Sequence, residues 1–474
     1  MLIRRFIHRI IFRLPCVTMD KLHDRIDAII AYLDPLNPLI NSHMVTYITE
    51  DLWNKYVPPD MRDEYESHSS PEVFELFFKE DCKKSNTILR KFMKLASSMT
   101  VSGNELGISY KVKDFKEHLV SLGFDSSSGL NFDKFMCLKK THEVEAMSDI
   151  VGLISGFTGV EHIVDVGDGK GYLSSILALE NKLRVLGIDA SPTNSAGAAK
   201  RVEKMKKHWK GVRRKMNNVD DDKLDTEHVV YQQHTQMVDQ DTDLTRIVNE
   251  YFPEHASRLG IVGLHTCGSL SPTCLKHFVQ NPELRFIVNV GCCYHLIENG
   301  DFPMSDHLSR LNYTLSRNAR MLSLQPIDRI VQSERVQSDP LMYRAVFEHM
   351  MDHVFNLKGI IKPDVGRISS KCSNFVQYVR KACSKLNLPL SMTDEEIQMY
   401  YKEMHCHEAK MQFYFLLRLT VAPVIENLIL LDRQLYLLEN GYPHSYMVEL
   451  FDSVISPRNY GIISIKLSND SSER

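Results

Sequence analysis

The segment Val164-Asp165-Val166-Gly167-Asp168-Gly169-Lys170-Gly171 constrains this chain more than any other. A short apolar run from Ile163 closes on a glycine, and Leu173 to Glu180 has helical spacing directly behind it. Glycines at 167, 169 and 171 let the backbone turn tightly and approach a ligand that a Cβ would obstruct. A second buried run, Val185-Leu186-Gly187-Ile188, ends on an acid, Asp189. Strand, glycine turn, helix and acid-terminated strand make one half of a parallel α/β sheet whose ligand crevice lies at the carboxyl ends of the strands.

The turn is not the dinucleotide fingerprint. G-x-G-x-x-G needs its third glycine at 172, where Tyr172 stands. The spacing therefore argues against a nicotinamide-dependent oxidoreductase. Asp165, two residues before the first glycine, suits an ammonium group, and Asp189 can accept hydrogen bonds from both hydroxyls of a ribose. Ammonium acceptor, ribose acceptor and glycine turn together describe a site for S-adenosylmethionine.

Apolar runs at 228–231, 259–264 and 285–290 predict three further strands alternating with helices, hence a parallel sheet covered on both faces. Ahead of them, Leu22, Ile26, Ile29, Ile30 and Leu33 repeat at helical spacing until Pro35. The expected organisation is a helical domain over 19–130, ending near Ser126-Ser127-Ser128-Gly129, and a Rossmann-like core over 131–300. A mostly helical insertion follows over 301–440, and 441–474 closes the sheet as a β-hairpin around Ser456-Pro457-Arg458-Asn459. Residues 1–18 carry Arg4, Arg5, Arg9 and Arg13 with no acid before Asp20. They read as an amphipathic targeting arm or as a gene-model extension ahead of Met19. A genuine presequence gives a mitochondrial protein; otherwise a cytoplasmic or nuclear one is expected.

Composition narrows the class. With 57 Lys and Arg against 60 Asp and Glu the chain is no general nucleic-acid coat. Ten cysteines in 474 residues are too sparse for a disulfide scaffold and read as reduced thiols of an intracellular protein. No run reaches the roughly 20 apolar residues of a membrane span. The best candidate, Phe413 to Leu431, contains Arg418 and Glu426 and reads as buried helix, so no membrane partner is expected. Lys200 to Lys215 holds nine Lys or Arg and one acid, Glu203. It reads as a solvated helix face, and it is also the segment through which an RNA backbone could be met.

Two elements sit where later strands end. His265-Thr266-Cys267-Gly268 follows the fourth strand and Cys292-Cys293-Tyr294-His295 the fifth. His265 can take a proton from an acceptor near neutral pH, and His295 is a second candidate for catalysis. Zinc ligand types are present, but there is no C-x-x-C, and adjacent cysteines rarely suit one ion. Cys292 and Cys293 are read as small apolar side chains and no metal is expected. His405-Cys406-His407 would be splayed by a helix.

The succession Leu138-Lys139-Lys140-Thr141-His142-Glu143-Val144, the glycine segment, Gly263-Leu264-His265-Thr266-Cys267-Gly268-Ser269-Leu270 and Asn289-Val290-Gly291-Cys292-Cys293-Tyr294-His295-Leu296 resembles the methyltransferase-like protein 25 family. Some of its members are labelled ribosomal RNA adenine dimethylase domain-containing. The resemblance continues through Ala422-Pro423-Val424-Ile425-Glu426, Leu430-Leu431-Asp432-Arg433 and Ser456-Pro457-Arg458-Asn459, and so spans from about residue 20 to the end. It implies a seven-strand, Rossmann-like, S-adenosylmethionine-dependent methyltransferase. Cofactor contacts are implied at Asp165, Gly167, Gly169 and Asp189, with Lys139, Lys140 and His142 contributing; Gly171 and Cys267 complete the expected set. The His-x-Cys-Gly and Cys-Cys-x-His elements are also similar to those of a transfer-RNA ribose 2′-O-methyltransferase family, which favours an RNA hydroxyl over protein as acceptor. Adenine N6 chemistry is disfavoured, because Leu264-His265-Thr266-Cys267 stands where such enzymes carry Asn/Asp-Pro-Pro-Tyr. Ser269 departs from the acid expected after the His-Thr-Cys-Gly glycine. The rival reading is a non-catalytic cofactor-binding or interaction protein on a degenerate methyltransferase fold.

Overall fold

The computed structural model describes residues 17–68, 75–78, 87–101, 108–124, 136–217, 230–253, 258–334, 339–360, 365–366 and 368–467. The targeting-arm residues 1–16, the expected boundary at 126–129 and residues 228–229 of the expected third strand lie outside them. The strands are β1 (Ser109–Lys111), β2 (His162–Val166), β3 (Arg184–Asp189), β4 (Tyr231–Thr235), β5 (Leu259–Cys267), β6 (Leu284–Cys292), β7 (Ser445–Glu449) and β8 (Tyr460–Ile465). They form one sheet in the order β1-β7-β8-β6-β5-β2-β3-β4. Strands β2 to β6 run parallel, while β8 is antiparallel to both β6 and β7. This is the Rossmann-like methyltransferase sheet implied by the sequence, extended by the short β1 paired to β7.

The central strands are continuous apolar runs because helices cover both faces. Val164, Val185, Leu186, Ile188, Ile261 and Val288 are fully buried. Strand β4 differs. It begins at Tyr231, where the expected run ends, and reads Tyr-Gln-Gln-His-Thr. At one edge of the sheet, its partner among the described residues is β3, and it needs no unbroken apolar run.

The chain divides into two compact units. One comprises the described residues within 17–30, 100–324 and 426–467 and contains the sheet; the other comprises the described residues within Ala31–Met99 and Gln325–Ile425. Most of the residues expected in a separate amino-terminal domain and in a helical insertion fall together in the second unit. Phe413 meets Trp53, Tyr65 and Phe77 at ring-centroid distances of 5.8, 5.0 and 5.7 Å. Periodicity shows which face of a helix is apolar, not which distant segment covers it.

Gly171 precedes the helix Tyr172–Leu179 with φ +68°, and a Cβ there would lie 2.7 Å from the Ala198 Cβ and against the Tyr231 hydroxyl. Gly171→Ala is expected to lower stability by about 2 kcal/mol or more, through both the left-handed backbone and the collision. Urea melts would show it; an unchanged midpoint would mean that this packing yields freely.

Candidate functional site

A cavity of about 620 Å³ opens at the carboxyl ends of β2, β3 and β5, with Val166, Gly167, Ile188, Asp189, Cys267 and Leu270 in its wall. Asp189 is tied into the glycine turn. Its Oδ1 accepts from the Ser191 N–H at 2.8 Å and from Asn194 Nδ2 at 3.0 Å, and its Oδ2 accepts from the Gly169 N–H at 3.0 Å. A carboxylate offers about four acceptor positions, so one remains, on Oδ2. That is room for one ribose hydroxyl where the sequence suggested two. Of the three turn glycines Gly167 lines the cavity; Gly169 and Gly171 do not.

Asp165 is not where an ammonium acceptor must be. It is 2% exposed and absent from the cavity wall. The Ser174 hydroxyl lies 2.8 Å from Asp165 Oδ2 and 2.7 Å from Asp168 Oδ1, and the Tyr231 hydroxyl donates to Asp168 Oδ2. One hydroxyl hydrogen cannot serve two carboxylates. Burial, and then the charge of Asp168, push Asp165 well above the ordinary carboxylate range, and burial also raises Asp168. The expected ammonium acceptor is thus placed behind the cavity wall and not in it. Besides Asp189, the acids that face the cavity are Asp239, Glu298 and Asp301, beyond the ends of β4 and β6. Asp301 is engaged by Lys276 Nζ at 2.7 Å. Sequence reasoning missed all three, since loop acids carry no periodicity. Ser269, where an acid was expected, also lines the cavity, and its hydroxyl accepts from the Glu298 N–H at 2.9 Å, holding that loop.

His265 sits where the β5–β6 register slips, between Leu264 and Thr266, with φ +67°. A left-handed backbone at a non-glycine residue costs about 1–3 kcal/mol and marks functional sites. Its Nε2 is 2.9 Å from Glu143 Oε1, which also accepts from the Ser456 hydroxyl at 2.6 Å. Lys140 Nζ approaches Glu143 Oε2 at 3.0 Å and Lys139 Nζ approaches Oε1 at 3.5 Å. Burial opposes ionisation of Glu143, but the hydrogen bonds from His265 and Ser456 and the Lys140 charge outweigh it. They hold the carboxylate well below its usual range. An ionised Glu143 makes Nε2 the protonated nitrogen of His265 and leaves Nδ1, which makes no hydrogen bond among the described residues, as the proton acceptor.

Lys139, Lys140 and His142, expected at the cofactor, are thereby placed elsewhere. On the helix Leu138–Thr158 the two lysines stand four and three residues before Glu143 and pair with it. His142 Nε2 accepts from the Asp452 N–H at 2.8 Å. None of the three lines the cavity. Glu143 itself was missed, although the lysine spacing was visible. His295 is half-buried in the turn Tyr294–Leu296, and neither it nor His265 is in the cavity wall; His265 stands two residues before Cys267, which is.

Cys267 lies in the cavity wall with its Sγ 3.1 Å from that of Cys292. The hydrogen bond from Cys292 lowers the Cys267 thiol to about 6 and raises the Cys292 thiol. The basic segment lies in the helix Pro192–Asn217, whose Val202, Met205 and Trp209 are buried while Lys204 and Lys207 are exposed. Side chains 210–215 lie outside the description.

A sequence profile described as a methyltransferase domain matches residues 139–300. "Probable methyltransferase-like protein 25" of Homo sapiens is 28% identical, over 94% of this chain and 98% of that protein. Its Mus musculus counterpart is also 28% identical, over 95% and 98%. The crystal structure of coclaurine N-methyltransferase bound to N-methylheliamine and SAH pairs at 12% identity over 80% of this chain and 94% of that chain. Its TM-score of 0.23 is too low to bear on fold or ligand. The cofactor of the matched domain is S-adenosylmethionine. The cavity fits it, with a free acceptor position on Asp189, a glycine without side chain at 167, apolar walls and carboxylates for a cationic ligand. The chain is therefore similar over nearly all of its length to the methyltransferase-like protein 25 proteins, and it carries an S-adenosylmethionine-dependent methyltransferase domain.

Proposed function

We propose that the protein methylates a hydroxyl group of a macromolecular acceptor, RNA ahead of protein. The observation that carries this reading is the His265–Glu143 pair at the end of β5. Bound S-adenosylmethionine supplies an electrophilic methyl on a sulfonium. Asp189 Oδ2 would hold a ribose hydroxyl of the cofactor, the Gly167 turn would leave room for its close approach, and Glu298 and Asp239 would offer carboxylates to its ammonium group. An alcohol must lose its proton as it is methylated. His265 Nδ1 receives that proton, and Glu143 stabilises the imidazolium from the other ring nitrogen. Most of the remaining catalysis is positioning and exclusion of water. Neither a proline nor an aromatic ring other than His265 stands in Leu264–Cys267 to clamp a planar amine, which weighs against adenine N6. The exposed lysines of the helix Pro192–Asn217 supply a sequence-independent contact for phosphates.

Incubation with methyl-labelled cofactor and either total RNA or total protein, followed by nucleoside analysis, is the test. Label in 2′-O-methyl nucleosides is expected. His265→Ala should lower turnover by about 100-fold or more while cofactor affinity stays within about twofold. Label confined to protein, or to N6 of adenine, would overturn the reading.

A further inference from the structure

The Sγ atoms of Cys267, Cys292 and Cys293 all lie within 4.8 Å of one another, although the sequence argues that adjacent cysteines point apart. Two backbone irregularities bring them together. In an extended strand the side chains of residues 292 and 293 would face opposite ways. Cys293 instead takes φ +51° as β6 ends, and its Sγ comes to 3.8 Å from that of Cys292. On the neighbouring strand, the register slip at His265 sets Cys267 directly opposite Cys292. Two left-handed non-glycine residues, each costing about 1–3 kcal/mol, thus converge on one cluster of thiols. A tetrahedral ion with metal–sulfur bonds of about 2.3 Å places its thiolates about 3.8 Å apart, near the separations found.

A second, independent observation concerns charge. Arg433 is 2% exposed, and its Nη1 and Nη2 have no hydrogen-bond partner among the described residues. Nη1 abuts Gly291, the residue before Cys292. A buried guanidinium without an acceptor is costly unless an anion lies nearby. Asp432 and Asp301 already act on it, and three thiolates around a divalent cation would add one net negative charge on the side of Cys292.

We propose that Cys267, Cys292 and Cys293 form a three-thiolate site for a divalent cation of the zinc class, bordering the methyl-transfer cavity. Three protein ligands with an open fourth position are the arrangement of a catalytic rather than a structural zinc. Cys267 belongs to both the cluster and the cavity wall, so the ion borders the space an acceptor enters. The site does not depend on what the acceptor is.

The test uses neither cofactor nor acceptor. The full chain is purified from zinc-supplemented cells and freed of loose metal. Its metal content is then measured, and the stripped protein is titrated with cobalt(II). One zinc per chain and a thiolate-to-cobalt charge-transfer band are expected. Cys267→Ser, Cys292→Ser and Cys293→Ser should each weaken zinc binding at least about tenfold, whereas Cys406→Ser should not change it. Cys267 is exposed, so its serine variant should melt like the wild type and keep the result readable. Three outcomes overturn the proposal: a folded wild-type chain with neither zinc nor a cobalt band, unchanged zinc in all three variants, or a Cys267–Cys292 disulfide in protein prepared from a reducing cytosol.

Discussion

Asp189→Ala should give a folded protein that has lost measurable affinity for S-adenosylmethionine. The side chain does two things at once. It offers the free Oδ2 position to a ribose hydroxyl, and it holds the turn by accepting from the Gly169 and Ser191 N–H groups and from Asn194. A hydrogen bond to a charged group contributes roughly 1.5–3 kcal/mol, so losing the ribose contact alone weakens binding about tenfold or more. Relaxation of the turn should carry the loss to about 100-fold. Calorimetry on wild type, Asp189→Ala and Asp165→Ala separates the roles. Asp165 is buried and outside the cavity wall, so its variant should lose stability rather than cofactor contacts. Equal cofactor binding by Asp189→Ala and wild type would remove the cavity as the cofactor site.

Glu143→Gln should have the largest effect on stability, about 3 kcal/mol, because it leaves Lys140 and Ser456 facing a group that no longer matches them. The pH dependence follows from the depressed carboxylate. Its folded value lies below the unfolded value of about 4.3, so the contribution is complete above that pH. It fades as pH falls through the folded value. Urea midpoints of wild type and variant should therefore differ at neutral pH and converge only in acid. A difference that persisted unchanged in acid would show that ionisation of Glu143 is not what stabilises the pair.

The parts of this site legible in sequence were those with local signatures. The strand, the glycine turn and Asp189 lie within one stretch of chain, and each has one backbone reason to be there. Asp165 looked like a ligand group because its spacing from Gly167 was right. Its burial depends on Asp168, Ser174 and Tyr231, and Tyr231 comes from a strand some sixty residues away. Glu143 was within reach, since both lysines stand at helical spacing from it, but its partners His265 and Ser456 arrive from other elements. The thiol cluster was illegible for another reason. Strand alternation sends adjacent cysteines apart, and only the left-handed conformation at Cys293 reverses that.

The position of β8 also dictates an order of assembly. It lies between β6 and β7, and both β7 and β8 come from the last thirty residues of the chain. During synthesis β6 therefore waits with an unpaired, apolar edge while about 170 further residues are made, a period in which it can recruit another chain. A fragment cut to residues 139–300 would carry that exposed edge permanently. The matched domain is thus a unit of sequence comparison rather than a unit of folding, and a translation product stopped before Tyr460 should aggregate.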